Sequence, residues 1–247
     1  MVEVSLKELL EAGCHFGHQA RRWNPKMRQY LYMARGSVHI FDLVKTRDGL
    51  VEAMKFLEEV AKKGGKIVYV GTKRQASGIV KEWAQRVGVS YVTVRWLGGL
   101  LTNYHQVSKS IKKLIDLKQK RSIGKFEKYT KKEQLLIDRE IAKLEKFLGG
   151  LVDLDGTPDA MFIVDTHRED AALREANRMG VKVVGLVDSN GNPDLVDYVI
   201  PANDDAVNSV QLIVKFVSEA IESGKAKLKA QSLKVKSEEK KKEANSE

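Results

Sequence analysis

The sequence predicts an α/β protein built on a doubly wound parallel sheet of five strands. One observation is a set of short apolar runs with little polar alternation, as in strands covered on both faces: 67–71, 91–94, 160–164, 181–187 and 198–200. The other is that segments with apolar residues at helical spacing separate these runs, which is the order of βαβ units. With 43% hydrophobic residues in 247, the chain can bury a core of this kind.

The N-terminal part of the chain predicts a short helix, a loop and a β-hairpin. Ser5 is followed three residues later by Glu8, a capping box that begins a helix. Residues 13–28 contain two glycines, two histidines and four basic residues without any period, which indicates an ordered loop. Strand-like runs at 30–33 and 38–41 then predict a hairpin that turns near Gly36.

Threonines mark three predicted helix starts in the sheet domain. Thr46 is expected to begin a helix that ends at about Lys63, before two glycines. Thr72 and Thr166 each follow an apolar run and precede a Gln or Glu by three residues. Both threonines therefore predict capping boxes that open the following helix.

The C-terminal part of the chain predicts one helix and a tail. An amphipathic helix is expected from about 206 to 223, with Asn203 or Asp204 as its cap. After it, apolar residues become sparse and Lys, Glu, Ser and Ala dominate. Residues 225–247 are therefore predicted to form a flexible charged tail.

Residues 104–149 predict a helical hairpin inserted into the sheet domain. Two narrow apolar stripes have coiled-coil spacing: Val107, Ile111 and Leu114, and then Ile137, Ile141, Leu144 and Leu148. Thr130 begins a capping box for the second helix. The predicted domains are an α/β domain from 1–103 and 150–224, which includes the N-terminal segment 12–42, and an antiparallel coiled-coil hairpin between its two parts.

The junction at 94–104 is either a catalytic loop or the structural root of the hairpin. Gly98 and Gly99 permit a sharp change of chain direction. Arg95 and Trp96 offer a charge and an aromatic plane, but no nucleophile with its base accompanies them. We therefore interpret the junction as the root of the hairpin, with the two glycines serving backbone geometry.

Charge is distributed unevenly along the chain, whose net charge is +10. Residues 1–103 carry 17 Lys and Arg against 9 Asp and Glu, and residues 104–149 carry 13 against 6. Residues 150–224 reverse the sign, with 5 basic against 14 acidic residues. This pattern predicts that one side binds a polyanion, in particular nucleic acid, and that the acidic part receives a protein partner with basic docking patches.

Candidate RNA-binding residues are basic side chains interleaved with planar or hydrogen-bonding groups. Lysines contact phosphates, whereas arginines and aromatic rings can also stack on unpaired bases. The candidates are Arg21, Arg22, Trp23, Asn24, Lys26, Arg28, Lys73, Arg74, Arg95, Trp96, Thr102, Asn103, Lys109, Lys112 and Lys113. For Trp23 and Trp96, packing in the core is an equally good interpretation.

An enzyme that uses a nucleotide or a flavin is the competing class, because sheets of this kind commonly bind nucleotides at the carboxyl ends of their strands. The turn at 71–78 lacks the glycine spacing of a dinucleotide site and the Gly-Lys-Ser/Thr ending of a P-loop. Lys73 and Arg74 could bind a phosphate at a helix N-terminus, but that phosphate could equally belong to RNA. We therefore predict no catalytic residues, no cofactor and no small-molecule substrate.

Two groups of residues carry metal-ligand side chains: Cys14, His15 and His18, and the carboxylates Asp165, Asp188, Asp204 and Asp205. The first group matches no standard zinc spacing and would need a fourth ligand. The carboxylates follow strands or precede helices, where helix caps and turn residues are expected without any metal. We therefore predict no bound metal.

The composition predicts a cytoplasmic protein. A single cysteine, Cys14, excludes an intramolecular disulfide and fits a reducing compartment. No run of about 18 apolar residues occurs, so no membrane span is predicted. Residues 1–8 have neither secretory nor transit-peptide character.

Several segments, in order along the chain, resemble the signatures of one protein family. They are GCHFGH at 13–18 with WNPKM at 23–27, RWLGG at 95–99 with LTN at 101–103, PD at 158–159 with FIVD at 162–165 and then Glu169, Glu175, Ala176 and Gly180, LVDSN at 186–190 followed by PD at 193–194, and IPANDDA at 200–206. From about Leu6 to Ser223 the chain is similar to the bacterial-type small ribosomal subunit protein two family.

The resemblance implies a flavodoxin-like sheet with a protruding coiled-coil hairpin and a non-enzymatic role in the ribosome. Family members are expected on the solvent side of the small subunit, between head and body, in contact with small-subunit ribosomal RNA and neighbouring ribosomal proteins. They are also expected to help recruit ribosomal protein one, the large messenger-binding protein. The resemblance does not identify individual RNA contacts, so the candidate RNA-binding residues remain the basic and planar residues given above.

Overall fold

The computed structural model describes residues 4–244, and the side chains of residues 4–231. Residues 1–3 and 245–247, which belong to the predicted N-terminal segment and tail, lie outside the described residues. Within the described part of the chain, none of the helices is both long enough and apolar enough to cross a membrane.

The chain alternates between strands and helices. The strands are β1 Phe16–Gln19, β2 Leu31–Arg35, β3 Val38–Phe41, β4 Ile67–Val70, β5 Ser90–Val92, β6 Ala160–Val164, β7 Lys182–Val187 and β8 Tyr198–Pro201. The α-helices are α1 Leu6–Glu11, α2 Leu43–Lys62, α3 Arg74–Val87, α4 Tyr104–Ser122, α5 Lys131–Leu148, α6 Asp170–Met179 and α7 Val207–Ala244.

The five C-terminal strands form one parallel sheet in the order β5-β4-β6-β7-β8. Numbered in chain order, these strands give 2-1-3-4-5, which is the flavodoxin-like order of a doubly wound fold. The predicted fold class is confirmed. All residues of β4 and β6 are buried, because helices cover both faces of the sheet.

Alternate residues of the strands enter two separate apolar cores. On one face, Tyr69 and Phe162 pack with α2, α3 and α7, and the Tyr69 hydroxyl is hydrogen-bonded to Ser218 Oγ at 3.0 Å. On the other face, Met161 and Ile163 pack with α6 and with the base of α4 and α5. The helical insertion is therefore rooted in a core of the sheet domain.

Residues 12–42 contain a second, antiparallel sheet of order β1-β3-β2. The predicted hairpin is confirmed as β2 and β3. The prediction of a loop at 13–28 is wrong for β1 and for the 3-10 helices Ala20–Arg22 and Pro25–Tyr30. β1 pairs with β3, which lies far along the chain, so no local pattern marks it as a strand.

Ser189, which follows β7, joins the small sheet to the main sheet. The backbone N–H of Asn24 donates to Ser189 O at 2.7 Å, and the backbone N–H of His18 donates to Ser189 Oγ at 2.8 Å. These bonds fix the basic segment 12–42 at the carboxyl edge of the parallel sheet.

The insertion consists of α4 and α5, which contact each other. Ile111, Leu114 and Leu148 from the predicted stripes are buried, and the capping box at Thr130 is confirmed. Three ion pairs cross from α4 to α5: Lys113–Glu140, Lys118–Glu145 and Arg121–Asp138. The coiled-coil geometry of the pair stays a prediction.

The start of α2 differs from the predicted one. Asp42 is the cap, because its Oδ1 accepts a hydrogen bond from the Val44 N–H at 3.0 Å. Thr46 lies inside the helix and is buried, and its hydroxyl donates to Pro201 O at 2.6 Å. A contact with β8 thus replaces the predicted local cap.

The two capping boxes predicted at Thr72 and Thr166 are also wrong. α3 and α6 begin after Lys73 and Glu169, and neither residue makes a side-chain capping bond. Thr72 instead donates from its N–H and its hydroxyl to Glu169 Oε1. Thr72 and Glu169 each fit a local capping box by spacing, but they bond to each other between the turns that follow the neighbouring strands β4 and β6.

Asn203, one of the two residues predicted to cap the last helix, bonds to the turn that precedes α7. Its Oδ1 accepts hydrogen bonds from the N–H groups of Asp205 at 2.8 Å and Ala206 at 3.1 Å, directly before α7. Since α7 begins at Val207, these bonds organise the turn before the helix, and a side-chain cap on its first turn stays a prediction.

α7 continues past its predicted end at Ser223. Lys225 Nζ donates to Val87 O at 3.0 Å and to Gly88 O at 2.8 Å, at the C-terminal end of α3. A lysine is favourable there because the last carbonyls of a helix have no partners within the helix. The flexibility of residues 225–247 stays a prediction.

Candidate nucleic-acid interface

Glu175, on α6, fixes the junction where the chain leaves the sheet domain for α4. Its Oε1 accepts hydrogen bonds from Trp96 Nε1–H at 3.1 Å and from the Gly99 N–H at 2.7 Å. Its Oε2 accepts from the N–H groups of Leu101 at 3.1 Å and Thr102 at 3.3 Å, and from the Thr102 hydroxyl at 3.3 Å. One carboxylate therefore holds the whole turn.

The hydrogen bonds also control the charge of Glu175. Burial alone would raise the pKa of this carboxyl group, but the donors at the junction outweigh burial and hold the pKa below its ordinary value. Donors favour the charged form because a carboxylate accepts hydrogen bonds better than a carboxylic acid does.

We expect the stabilising contribution of Glu175 to depend on pH. Since the folded-state pKa lies below the ordinary value of 4.5, the contribution is complete above the pKa of the unfolded chain and is lost as the pH falls through the folded-state value. The difference in free energy of unfolding between wild type and Glu175→Gln should therefore be constant near neutrality and shrink below about pH 4. Urea unfolding at a series of pH values measures it, and a difference that stays constant into acid contradicts the expectation.

The junction confirms the structural interpretation of Trp96. Its side chain is 6% exposed and lies in the core with Leu100 and Leu101, so no ring face is open to a base. Gly99 has φ +87°, in the left-handed region that favours glycine. Gly98 has an ordinary φ and open space around it, so only one of the two junction glycines is required by the backbone.

Lys73 lies at the start of α3 but does not face solvent. Its Nζ is 2.6 Å from a carboxylate oxygen of Asp204 and of Asp205, and 3.6 Å from Asp165. Burial alone would lower the pKa of Lys73, but the charge of Asp204 and the hydrogen bonds to these carboxylates raise it. Lys73 is thus a buried counter-ion, whereas its neighbour Arg74 is exposed.

The crevice between the carboxyl ends of β4 and β6 is where a doubly wound sheet binds a nucleotide. Here the Thr72 hydroxyl donates to Glu169, and Arg168 Nε–H donates to the Thr72 hydroxyl at 3.1 Å. The donors of Thr72 and Lys73, which would face a phosphate here, are bonded within the protein, and the carboxylates of Glu169 and Asp165 would repel it. This geometry disfavours the nucleotide-binding alternative.

Potential metal ligands meet at the same edge of the sheet. Among the described residues, ligand atoms of His18, Asp188 and Asp204 lie within 4.8 Å of one another, a spacing that one metal ion could bridge. Cys14 and His15 are not part of this group. The Ser209 hydroxyl donates to Cys14 Sγ at 3.3 Å, and burial raises the thiol pKa to about 11. The absence of a bound metal remains a prediction.

The candidates from the N-terminal segment lie together at its two 3-10 helices. Arg22 and Arg28 are exposed and, within the described part of the chain, have no ion-pair or hydrogen-bond partner for their side chains. Arg21 donates to Gln19 at 3.0 Å, and Lys26 is paired with Asp194.

Two candidates in this segment have structural contacts of their own. The Trp23 ring lies 4.9 Å from the His39 ring, and it is half-buried. Asn24 Oδ1 caps the 3-10 helix Pro25–Tyr30 by accepting from the Lys26 N–H at 3.1 Å. Both side chains therefore contribute to local structure as well as to the basic surface.

The candidates on α4 divide by their partners. Lys109 and Lys112 are exposed, and within residues 4–231 they have no ion pair or hydrogen bond, whereas Lys113 is paired with Glu140. Arg95 and Asn103, at the foot of the helix, are exposed as well. The exposed set thus runs from the junction onto the first helix of the insertion.

Sequence reasoning missed the role of Glu175 and the exposure of Arg35 and Tyr32. Glu175 lies more than seventy residues from the donors it accepts, so no local spacing could reveal the contact. Arg35 and Tyr32 stand in the predicted hairpin, and their basic and aromatic character next to its turn was the available signal.

Comparison with known proteins places these features in a family. Residues 9–224 match the family described as Ribosomal protein S2. The chain is 49% identical over 220 residues to "Small ribosomal subunit protein uS2" of Hahella chejuensis, an alignment that covers 89% of this chain and 87% of that protein.

Two further relatives have the same description. The protein of Roseiflexus sp. is 51% identical over 221 residues, covering 90% of this chain and 84% of the relative. The protein of Aeromonas salmonicida is 50% identical over 226 residues, an alignment that covers 92% of this chain and 93% of the relative. The family match spans the parallel sheet, the junction and the helical insertion, and the chain therefore belongs to the ribosomal protein S2 family.

Proposed function

We propose that this protein is a structural constituent of the small ribosomal subunit that binds ribosomal RNA through two basic surfaces. One surface is formed by the exposed basic residues of segment 12–42, and the other by the junction and α4. We also propose, from the family resemblance, that it lies between the head and body of the subunit in the cytoplasm and helps recruit ribosomal protein one.

Family membership confirms the prediction that the chain is not an enzyme, since the relatives it matches are ribosomal proteins. The nucleotide- or flavin-binding alternative is therefore dropped. Arg74, at the start of α3 and outside these two surfaces, remains a further proposed RNA contact because it is exposed, whereas Lys73 and Trp96 are left out because both are buried.

The observation that carries the proposal is the pair Lys109 and Lys112 on a helix fixed to the core. Both ammonium groups face solvent without a partner in the described residues, while Glu175 and the buried Ile111 and Leu114 hold α4 in place. Fixed and unpaired lysines are suited to phosphate contacts, because binding costs neither an internal ion pair nor the ordering of the helix.

The salt dependence of RNA binding tests this assignment. Each lost phosphate contact should lower the slope of log affinity against log salt by about 0.9. We therefore expect the variant Lys109→Gln/Lys112→Gln to lose about 2 from the slope measured with purified small-subunit ribosomal RNA. Sedimentation with reconstituted subunits should show weaker incorporation at raised salt.

The matched control is Lys113→Gln/Lys118→Gln, which changes the net charge equally but removes lysines that are already paired with glutamates on α5. The slope of this control should change by less than half as much as the slope of Lys109→Gln/Lys112→Gln. Equal slopes for the two double variants would refute the assignment to Lys109 and Lys112. A wild-type affinity that does not change with salt concentration would refute the phosphate contacts altogether.

A further inference from the structure

The small sheet of the N-terminal segment exposes an apolar face. Phe16 of β1 and Met33 of β2 both pair with Ile40 of β3, and paired residues of an antiparallel sheet share a face. Phe16 is 50% and Met33 47% exposed. Arg35 pairs with Val38, two residues from Ile40, so its side chain belongs to the same face.

Tyr32 stands at the rim of this face. It is the extra residue at the irregular pairing between Leu31 and Met33, on an edge strand, and its side chain is 74% exposed. Exposed aromatic and apolar groups that lie side by side indicate a binding surface, because their contact with water is unfavourable.

The charge around the face favours a polyanion as the binding partner. Residues 12–41 contain five basic residues and no acidic one: Arg21, Arg22, Lys26, Arg28 and Arg35. The side chain of Arg35, like those of Arg22 and Arg28, has no ion-pair or hydrogen-bond partner within the described residues. An acidic protein surface could form ion pairs with these basic residues, but ion pairing does not involve the exposed aromatic rings that lie near the guanidinium plane of Arg35.

We propose that the face formed by Phe16, Met33 and Arg35, with Tyr32 at its rim, binds unpaired nucleotides of ribosomal RNA by stacking. This inference rests on the proposed RNA-binding function and names the class of RNA that this surface takes. Aromatic rings and guanidinium planes stack on bases that are splayed out of a helix. In a duplex the faces of the bases are covered by their neighbours, so these side chains would have nothing to stack on.

Fluorescence anisotropy with the full chain tests the proposal. The probes are a labelled single-stranded RNA of about 12 nucleotides with mixed sequence, and a duplex of the same sequence. Phe16→Ala and Tyr32→Ala should each weaken binding of the single strand about tenfold. Binding of the duplex by the same variants should match wild type, which also shows that they are folded.

Two further sets of variants separate stacking from other effects. Phe16→Trp and Tyr32→Trp should bind the single strand as well as wild type, because a larger ring still stacks. Tyr129→Ala removes an exposed ring outside the sheet and should leave single-strand binding unchanged. Alanine variants that bind the single strand like wild type, or tryptophan variants as weak as the alanine ones, would overturn the proposal.

The wild-type chain distinguishes this inference from the function on which it rests. Binding of the duplex without binding of the single strand would overturn stacking and leave RNA binding in place. Binding of neither probe would overturn RNA binding itself. A photoreactive group placed at Phe16 should crosslink to RNA in assembled subunits, and crosslinks to protein alone would show that this face docks a protein instead.

Discussion

Replacing Glu175 with alanine should lower the free energy of unfolding by about 3 kcal/mol. The substitution removes an acceptor shared by five donors of the junction. The indole N–H of Trp96 would then be left in the core without a partner, which adds a desolvation cost. Urea unfolding at neutral pH measures the change.

The control for Glu175 is Glu82→Ala, which removes an exposed carboxylate from α3. We expect that variant to stay within about 0.5 kcal/mol of wild type. The Glu175→Ala variant should also bind ribosomal RNA more weakly, because the turn that positions α4 loses its anchor. If both alanine variants were equally stable, the junction would be held by apolar packing rather than by the carboxylate.

Gly150→Ala should lower the free energy of unfolding by about 2–3 kcal/mol. Gly150 lies where the insertion returns to the sheet domain, and a Cβ built there would stand 2.3 Å from Tyr91 O and 2.6 Å from the Tyr91 ring. The backbone carbonyl of an edge strand cannot move aside without breaking contacts of β5. Thermal or urea unfolding gives the size of the effect.

Gly98→Ala is the matched control, since a Cβ at Gly98 meets nothing within 4 Å and its backbone is ordinary. That variant should differ from wild type by no more than about 0.5 kcal/mol. A tolerated Gly150→Ala variant would mean that the return of the hairpin is not packed tightly against β5. The comparison thus tests the contact that holds the second end of the insertion.

The elements of the sheet domain could be predicted because their apolar spacing is a local property. Runs such as 160–164 are apolar throughout, since both faces of a parallel strand are covered, and this is visible in the residues themselves. The stripes of α4 and α5 are visible for the same reason, since one face of each helix is covered.

Caps and candidate binding residues were predicted less well, because the hydrogen-bond partner of a side chain can come from any part of the fold. Thr72 fits a capping box by spacing, yet it bonds to Glu169 from the neighbouring βα turn. Lys73 stands at a helix start, where a lysine can bind a phosphate, yet three carboxylates surround it. Within residues 4–231, Lys112 has no ion pair or hydrogen bond whereas Lys113 is paired with Glu140, and this difference also depends on the second helix.

By itself the sequence determined the fold class, the helical insertion, the uneven charge and the family, since each depends on residue type and order. The tertiary structure alone decided that Glu175 anchors the junction and that Gly150 packs on Tyr91. It also decided which basic residues remain exposed. The physical reason is that a carboxylate partly removed from water is stable only where donors converge on it, and such convergence is a property of three-dimensional distance that spacing along the chain does not record.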